Sequence, residues 1–242
     1  MSELKVKDKE IVVPGEILAV GMDFLPSHGT YRKDDKIMAN RLGLMRIEGK
    51  VLKSIPLAGR YLPKRNDVII GKVTDITLNG WIIHFGSPYR AMVCLKDASF
   101  EYIAKGADLT KFFALDDYVS AKITQVSSQY VTDLTMKGPG LRKLKGGRII
   151  HVNTHKVPRV IGKKGSMVSM IKKATDCRVI VGQNGIIWIQ GEPKKEIIAV
   201  NTIKMIEKKA HVSGLTDKVK AYLEKETGQK IENIMVVEND IQ

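Results

Sequence analysis

A four-residue corner, Gly162-Lys163-Lys164-Gly165, is the part of the chain best suited to hold a charged ligand. Glycine at both ends lets the backbone turn sharply and lets a sugar-phosphate strand come close to it. The apolar Val160-Ile161 leads in, and Ser166 is placed to cap the helix that follows. N–H groups at the start of that helix point into the corner and favour an anion. Lys163 and Lys164 add two mobile positive charges at its tip, and Arg159 lies just before it. Such a corner captures phosphates by charge and hydrogen bonding, with no bond made or broken. A Gly-x-x-Gly spacing taken alone is most often an ordinary turn, so its setting decides.

That setting is basic. No acidic residue occurs between Asp133 and Asp176, an interval that holds Lys137, Arg142, Lys143, Lys145, Arg148, Lys156, Arg159, Lys163, Lys164, Lys172 and Lys173. A charge run is usually only a solvated face, but one-signed charge flanking this corner reads better as a nucleic-acid footprint. The 242-residue chain has a formal net charge of +14, which points to a polyanionic partner or an acidic neighbour.

The elements around the corner are equally specific. Met167, Val168, Met170, Ile171 and Ala174 recur at helical spacing. Arg178 to Val181 reads as a strand, Gly182-Gln183-Asn184-Gly185 as a hairpin turn, and Ile186 to Gln190 as the return strand. Pro193 suits the first turn of a long helix bearing Ala199, Ile203, Ile206 and Ala210, and Arg148 to Val152 reads as the opening strand. The order strand, helix, corner, helix, strand, strand, helix resembles an α+β KH domain of the eukaryotic type, over residues 148–211. The resemblance implies that the corner clamps about four nucleotides of single-stranded RNA.

Two further units precede it. Residues 1–60 read as a small all-β unit of short strands and turns, with Leu42 to Ile47 and Lys50 to Ile55 as a hairpin around Glu48-Gly49. Residues 62–136 give five strands with a helical insertion after the third, the pattern of an OB-type β-barrel. Gly71-Lys72-Val73, Asn79-Gly80-Trp81-Ile82-Ile83 and Asp117 to Ile123 resemble the ribosomal S-one type of RNA-binding OB domain. In that family, aromatics on the second strand and an aromatic or His on the third stack bases. Here Ile82 takes the second-strand position, the third strand offers Ala91 to Cys94, and Ser127-Ser128-Gln129 replaces a basic turn. Strand alternation puts Trp81 and Phe85 in the core, with Ile82 and His84 on the other face. The barrel is therefore expected to contribute charge more than stacking, through Lys72, His84, Arg90, Lys96 and Lys122. Residues 137–147, rich in Gly and with Arg142, Lys143 and Lys145, read as a flexible basic strap leading to Arg148. Residues 212–242 form a short C-terminal tail with a helical stretch from Thr216 to Glu226, an apolar strand from Ile234 to Val237, and more acids than lysines. The tail is expected to pack back or dock on protein.

Nothing in this layout assembles a catalyst. His28, His84, His151, His155 and His211 are scattered, and the spacing of His151 and His155 crosses a strand-to-helix change. No metal site is expected from them, and no cofactor. Asp116-Asp117 could hold a catalytic metal, but a solvated turn explains the pair more simply. Cys94 and Cys177 stand far apart, as in a reduced, cytoplasmic protein. The first ten residues lack an apolar signal core and no run is long enough to span a bilayer, so no membrane role is expected.

Taken together, the order of units resembles the archaeal exosome RNA-binding cap subunits, homologues of ribosomal-RNA-processing protein four. Val13-Pro14-Gly15-Glu16, Gly29-Thr30-Tyr31 and the strap Gly138 to Gly147 carry the match. The resemblance implies three copies seated by their N-terminal domains on a ring of ribonuclease-PH-like subunits. Barrels would line the pore, KH domains would lie outside, and the ring would degrade RNA from its 3′ end by phosphorolysis. The chain itself would bind and thread single-stranded RNA without catalysis. Two other readings compete: a structural ribonucleoprotein component unconnected with RNA decay, and a nuclease acting through Asp116 and Asp117.

Overall fold

The structure is a computed structural model that describes residues 3–57, 59–104, 106–210, 212 and 214–228. The chain divides into two units, residues 1–59 and 60–242.

The first unit holds β1 (Glu3–Leu4), β2 (Ile11–Val12), β3 (Ile17–Val20), β4 (Leu25–Pro26), β5 (Thr30–Lys33), β6 (Lys36–Ala39), β7 (Gly43–Glu48) and β8 (Val51–Pro56). These form two four-stranded sheets, ordered β1-β3-β6-β5 and β2-β7-β8-β4. Val12, Leu18, Ile37, Met45 and Leu52 fill the core. The β7–β8 hairpin turns at Gly49-Lys50, one residue later than the sequence suggests. The β5–β6 hairpin carries no strong turn signal in the sequence, because its turn is Asp34-Asp35 rather than an Asn-Gly pair. Asp34 takes the left-handed conformation there (φ 54°), which Asp tolerates better than most residues.

The second unit opens with β9 (Val68–Thr77), β10 (Gly80–His84), β11 (Ala91–Cys94), the short helix α1 (Leu95–Ala98), β12 (Tyr118–Val126), β13 (Thr132–Thr135) and β14 (Arg142–Leu144). The strands run β13-β11-β10-β9-β12, and β13 also pairs with β12, closing a five-stranded barrel. The β11–β13 contact is parallel, while β9, β10 and β12 pair antiparallel. The β9–β10 hairpin turns at Leu78-Asn79, one residue earlier than the Asn79-Gly80 pair suggests, and Gly80 opens β10. A Cβ on Gly80 (φ 150°) would stand 1.9 Å from the Val93 carbonyl oxygen, so only glycine fits. Alternate residues point inward, and Ile69, Val73, Trp81, Ile83, Phe85, Val93 and Ile123 form the barrel core. The Trp81 indole N–H donates to the Phe113 carbonyl at 3.0 Å, so its one polar atom is satisfied.

The strap is not loose. Its Arg142–Leu144 segment is β14, a sixth strand along β12, and Leu144 is buried. The expectation of a flexible tether fails because an apolar residue amid the Gly-Pro-Lys composition finds a core.

After the strap come β15 (Arg148–His151), α2 (Val157–Ile161), α3 (Ser166–Thr175), β16 (Arg178–Val181), β17 (Ile186–Gln190), α4 (Pro193–Lys208) and α5 (Leu215–Thr227). The sheet is antiparallel in the order β15-β17-β16. Helices cover one face, through Val160, Met170, Ile171, Ile203 and Ile206. The other face meets the barrel: Ile186 and Trp188 pack with Ile70 of β9 and Leu144 of β14. With both faces covered, β17 reads in sequence as an unbroken apolar run rather than an alternating one. Leu215, Val219 and Leu223 of α5 join the helix-side core, so this part of the tail packs back. The expected strand from Ile234 to Val237, and His211, lie outside the described residues.

Candidate nucleic-acid interface

The corner between α2 and α3 is held by backbone geometry that only its glycines supply. Gly162 sits at φ 77° and Gly165 at φ 75°, with Lys164 also left-handed at φ 52°. A Cβ on Gly162 would fall 2.7 Å from the Met167 Cβ. Its N–H donates to the Pro158 carbonyl at 2.9 Å, ending α2 and turning the chain outward. Ser166 does not cap the helix: it is the first residue of α3, Gly165 is the cap position, and no side-chain cap bond forms. That leaves the first N–H groups of α3 without a local side-chain acceptor. Lys163 and Lys164 are exposed at the tip, and Arg159 is exposed on α2.

Beside the corner lies a cleft of about 990 Å³. Ile161, Gly162, Gly165 and Val168 form one wall, Val179 to Val181 of β16 another, and Pro139 to Arg142 of the strap a third, with Val68 and Ser120 of the barrel. Its charged lining is Arg142, Lys164, Lys172, Lys173 and Arg178, with no carboxylate. Apolar floor and cationic rim suit a single strand, whose bases and phosphates separate to opposite edges. The Arg142 guanidinium carbon is 5.7 Å from the Trp188 ring centroid, and the Trp188 indole N–H donates to the Gly146 carbonyl at 2.7 Å. The strap cation therefore rests against a ring that is itself anchored to the strap.

Of the sequence-expected site residues, Gly162, Lys164, Gly165 and Arg142 come together in this cleft. Lys163, Arg159 and Lys145 are exposed but do not line it. Three expected cations face carboxylates instead. Lys72 Nζ lies 2.7 Å from Asp116, Lys143 pairs with Asp117, and Arg148 Nε lies 3.4 Å from Glu196. The hydrogen bond to Asp116 holds the Lys72 ammonium above the usual lysine range. His84, Arg90 and Lys122 lie on the outer surface of the barrel, and Lys96 borders a separate hollow with Lys137 and Phe100. Sequence reasoning missed Lys172, Lys173 and Arg178 as cleft residues. The Lys172-Lys173 pair was visible in the basic run, but Arg178 becomes a neighbour only when β16 folds alongside α3.

The acidic pair Asp116-Asp117 is spoken for by Lys72 and Lys143. Among the described residues, no three His, Cys, Asp or Glu side chains converge as metal ligands. Cys94 and Cys177 are free thiols, both pushed up by burial and so less nucleophilic than an exposed cysteine. No helix among the described residues is long and apolar enough to cross a membrane.

A closed barrel fastened by a basic strap to a sheet-and-helix layer with a lysine-tipped corner defines a class of multidomain single-strand-binding proteins. Known proteins make the class particular. Residues 147–195 match a family described as "KH domain", and residues 11–48 match "Exosome complex exonuclease RRP4 N-terminal region". "Exosome complex component Rrp4" of Methanothermus fervidus is 43% identical over 221 residues, covering 91% of this chain and 97% of that protein. The same component of Picrophilus torridus is 40% identical over 91% of this chain and 94% of its own length, and that of Pyrococcus furiosus 40% over 92% and 86%. A crystal structure assigned as an exosome complex RNA-binding protein covers 69% of this chain and 97% of its own, with TM-score 0.62 and 32% identity. The chain belongs to the Rrp4 family of exosome complex components.

Proposed function

We propose that the chain is a non-catalytic RNA-binding cap subunit of an archaeal exosome, which gathers single-stranded RNA and threads it into a phosphorolytic 3′-to-5′ ring. The observation that carries this reading is the carboxylate-free cleft beside Gly162–Gly165, lined by five cations. Residues 148–211 act as a KH domain of the eukaryotic type, with Gly162, Lys163, Lys164, Gly165 and Arg159 at its loop. Residues 62–136 act as the S-one-type barrel, to which Lys72, His84, Arg90, Lys96 and Lys122 lend weaker attraction. Arg142, Lys143, Lys145 and Arg148 extend the basic track along the strap. Residues 1–60 dock on ribonuclease-PH-like subunits, three copies to a ring, in the cytoplasm.

The word exonuclease in the N-terminal match raises a second reading, hydrolysis or phosphorolysis by the chain itself. The lysines on Asp116 and Asp117 weigh against it, since a carboxylate must leave its ammonium before it can hold a catalytic metal. The test mixes the chain with ribonuclease-PH-like ring subunits and follows co-elution, together with binding of a labelled single-stranded oligoribonucleotide. Co-elution and RNA binding are expected. RNA binding without co-elution would favour a ribonucleoprotein role outside RNA decay.

A further inference from the structure

The barrel lacks aromatic rings where its strands would offer them to bases. Ile82 of β10 and Met92 of β11 take outward positions, while Trp81 and Phe85 are buried. The ring contacts of Tyr61 with Phe85, and of Trp81 with Phe112 and Phe113, are all edge-on, in or against the core. One pair differs. Tyr89, before β11, and Tyr130, before β13, lie face to face, with centroids 4.5 Å apart and planes 21° from parallel.

Both tyrosines are held from behind. Two residues past each, Ala91 and Thr132 are partners in the parallel β11–β13 ladder. The Tyr130 N–H donates to the Ser127 carbonyl at 2.9 Å, the Val131 N–H to Ser127 Oγ at 3.0 Å, and the Thr132 hydroxyl to the Tyr130 carbonyl at 3.2 Å. The Tyr89 N–H reaches Oγ of the buried Ser87 at 3.4 Å. Tyr130 also sits at φ 59°, a left-handed conformation that a bulky side chain rarely adopts. Despite this anchoring Tyr130 remains 40% exposed, with Val131 50% exposed beside it and Arg90 exposed next to Tyr89.

We propose that the Tyr89–Tyr130 stack is a nucleobase site, on which an unpaired base of single-stranded RNA lies as the next layer of the stack while Arg90 faces its phosphate. The aromatic platform missing from the strands is moved to two loops at one rim of the barrel. The site rests on the RNA-binding function proposed above and adds a contact to bases rather than to phosphates.

The test measures binding of the full chain to a labelled oligoadenylate and to an abasic ribose-phosphate strand of equal length. Tyr130→Gly removes the ring and relaxes the left-handed backbone, so the fold should persist, as a melting curve will check. It is expected to weaken oligoadenylate binding by roughly tenfold, within the range for one stacked base, with the salt slope unchanged. The abasic strand should bind as before, Tyr130→Phe should bind oligoadenylate like the native chain, and Tyr89→Leu should lose part of the affinity. Native-like oligoadenylate binding by Tyr130→Gly, or equal loss for both strands, would overturn the site while leaving RNA binding in place. A native chain that binds neither strand would instead sink the RNA-binding function, and this site with it.

Discussion

At the scale of single residues, the expected cations differ in where the fold places them. Lys163 and Lys164 stand at an exposed corner, whereas Lys72 and Lys143 answer Asp116 and Asp117. Replacing Lys163 and Lys164 with Ala should weaken RNA binding across sequences, because phosphate contacts position a strand without reading it. The salt dependence should flatten by about 1.4 in slope, at about 0.7 per lost single-strand contact. A titration of affinity against salt checks this, and an unchanged slope would remove the corner from the interface. Lys72→Ala should move the slope far less, since its charge is balanced by Asp116 before RNA arrives. Tyr61 offers a separate check on the barrel. Its hydroxyl donates to Asp67 Oδ2 at 2.6 Å, and burial first, then that bond, holds its pKa well above the usual tyrosine range. A group raised on folding stabilises fully below its unfolded pKa of about 10 and loses that contribution as pH climbs further. Tyr61→Phe should therefore cost about 1 kcal/mol near neutral pH and soften the loss of stability above pH ~10. Urea melts at several pH values decide it; an alkaline loss identical in variant and native chain would remove Tyr61 from that transition.

Among elements, the hairpin turn between β16 and β17 does more than reverse the chain. The Asn184 side chain accepts from the Ile70 N–H at 3.2 Å and donates to the Ile70 and Phe85 carbonyls at 2.8 and 2.7 Å. The Gln183 N–H adds a bond to the Val68 carbonyl at 2.8 Å. Gly182 is needed for the approach, since a Cβ there would stand 2.9 Å from the Ile70 nitrogen. Asn184→Ala leaves three buried backbone groups without partners and should cost on the order of 3 kcal/mol, measured by denaturant unfolding. A cost under ~0.5 kcal/mol would mean that water replaces the amide. The turn itself was plain in Gly182-Gln183-Asn184-Gly185, because turn chemistry is local. Its partner was not, because Ile70 lies 114 positions earlier. The same holds for the strap, whose glycines were obvious while the pairing of Leu144 with Tyr118 and its packing beside Trp188 were not. Periodicity shows which face of an element is apolar; it does not say what covers that face.

At the scale of the whole molecule, charge and chemistry point to division of labour. A chain of net charge +14 with a carboxylate-free cleft attracts RNA at long range, while Asp116 and Asp117, the adjacent acids of the barrel, each face a lysine. Such a protein raises the local concentration of a strand, and in the role proposed above the ring cuts it. Incubated alone with labelled RNA, phosphate and Mg²⁺, the chain should leave the substrate at full length. Added to a ring of ribonuclease-PH-like subunits, it should speed shortening at low RNA concentration, where capture limits the rate, and matter little once RNA saturates the ring. The advantage should shrink as salt rises, because the attraction is carried by counterion release. Lys163→Ala with Lys164→Ala should lose part of the gain without altering the saturated rate, since neither residue belongs to the step that breaks the chain. Time courses of shortening at several RNA concentrations read both limits. Shortening by the chain alone that vanished on replacing Asp116 and Asp117 would mean those lysines release their carboxylates to a metal after all, and the binding-only assignment would fall.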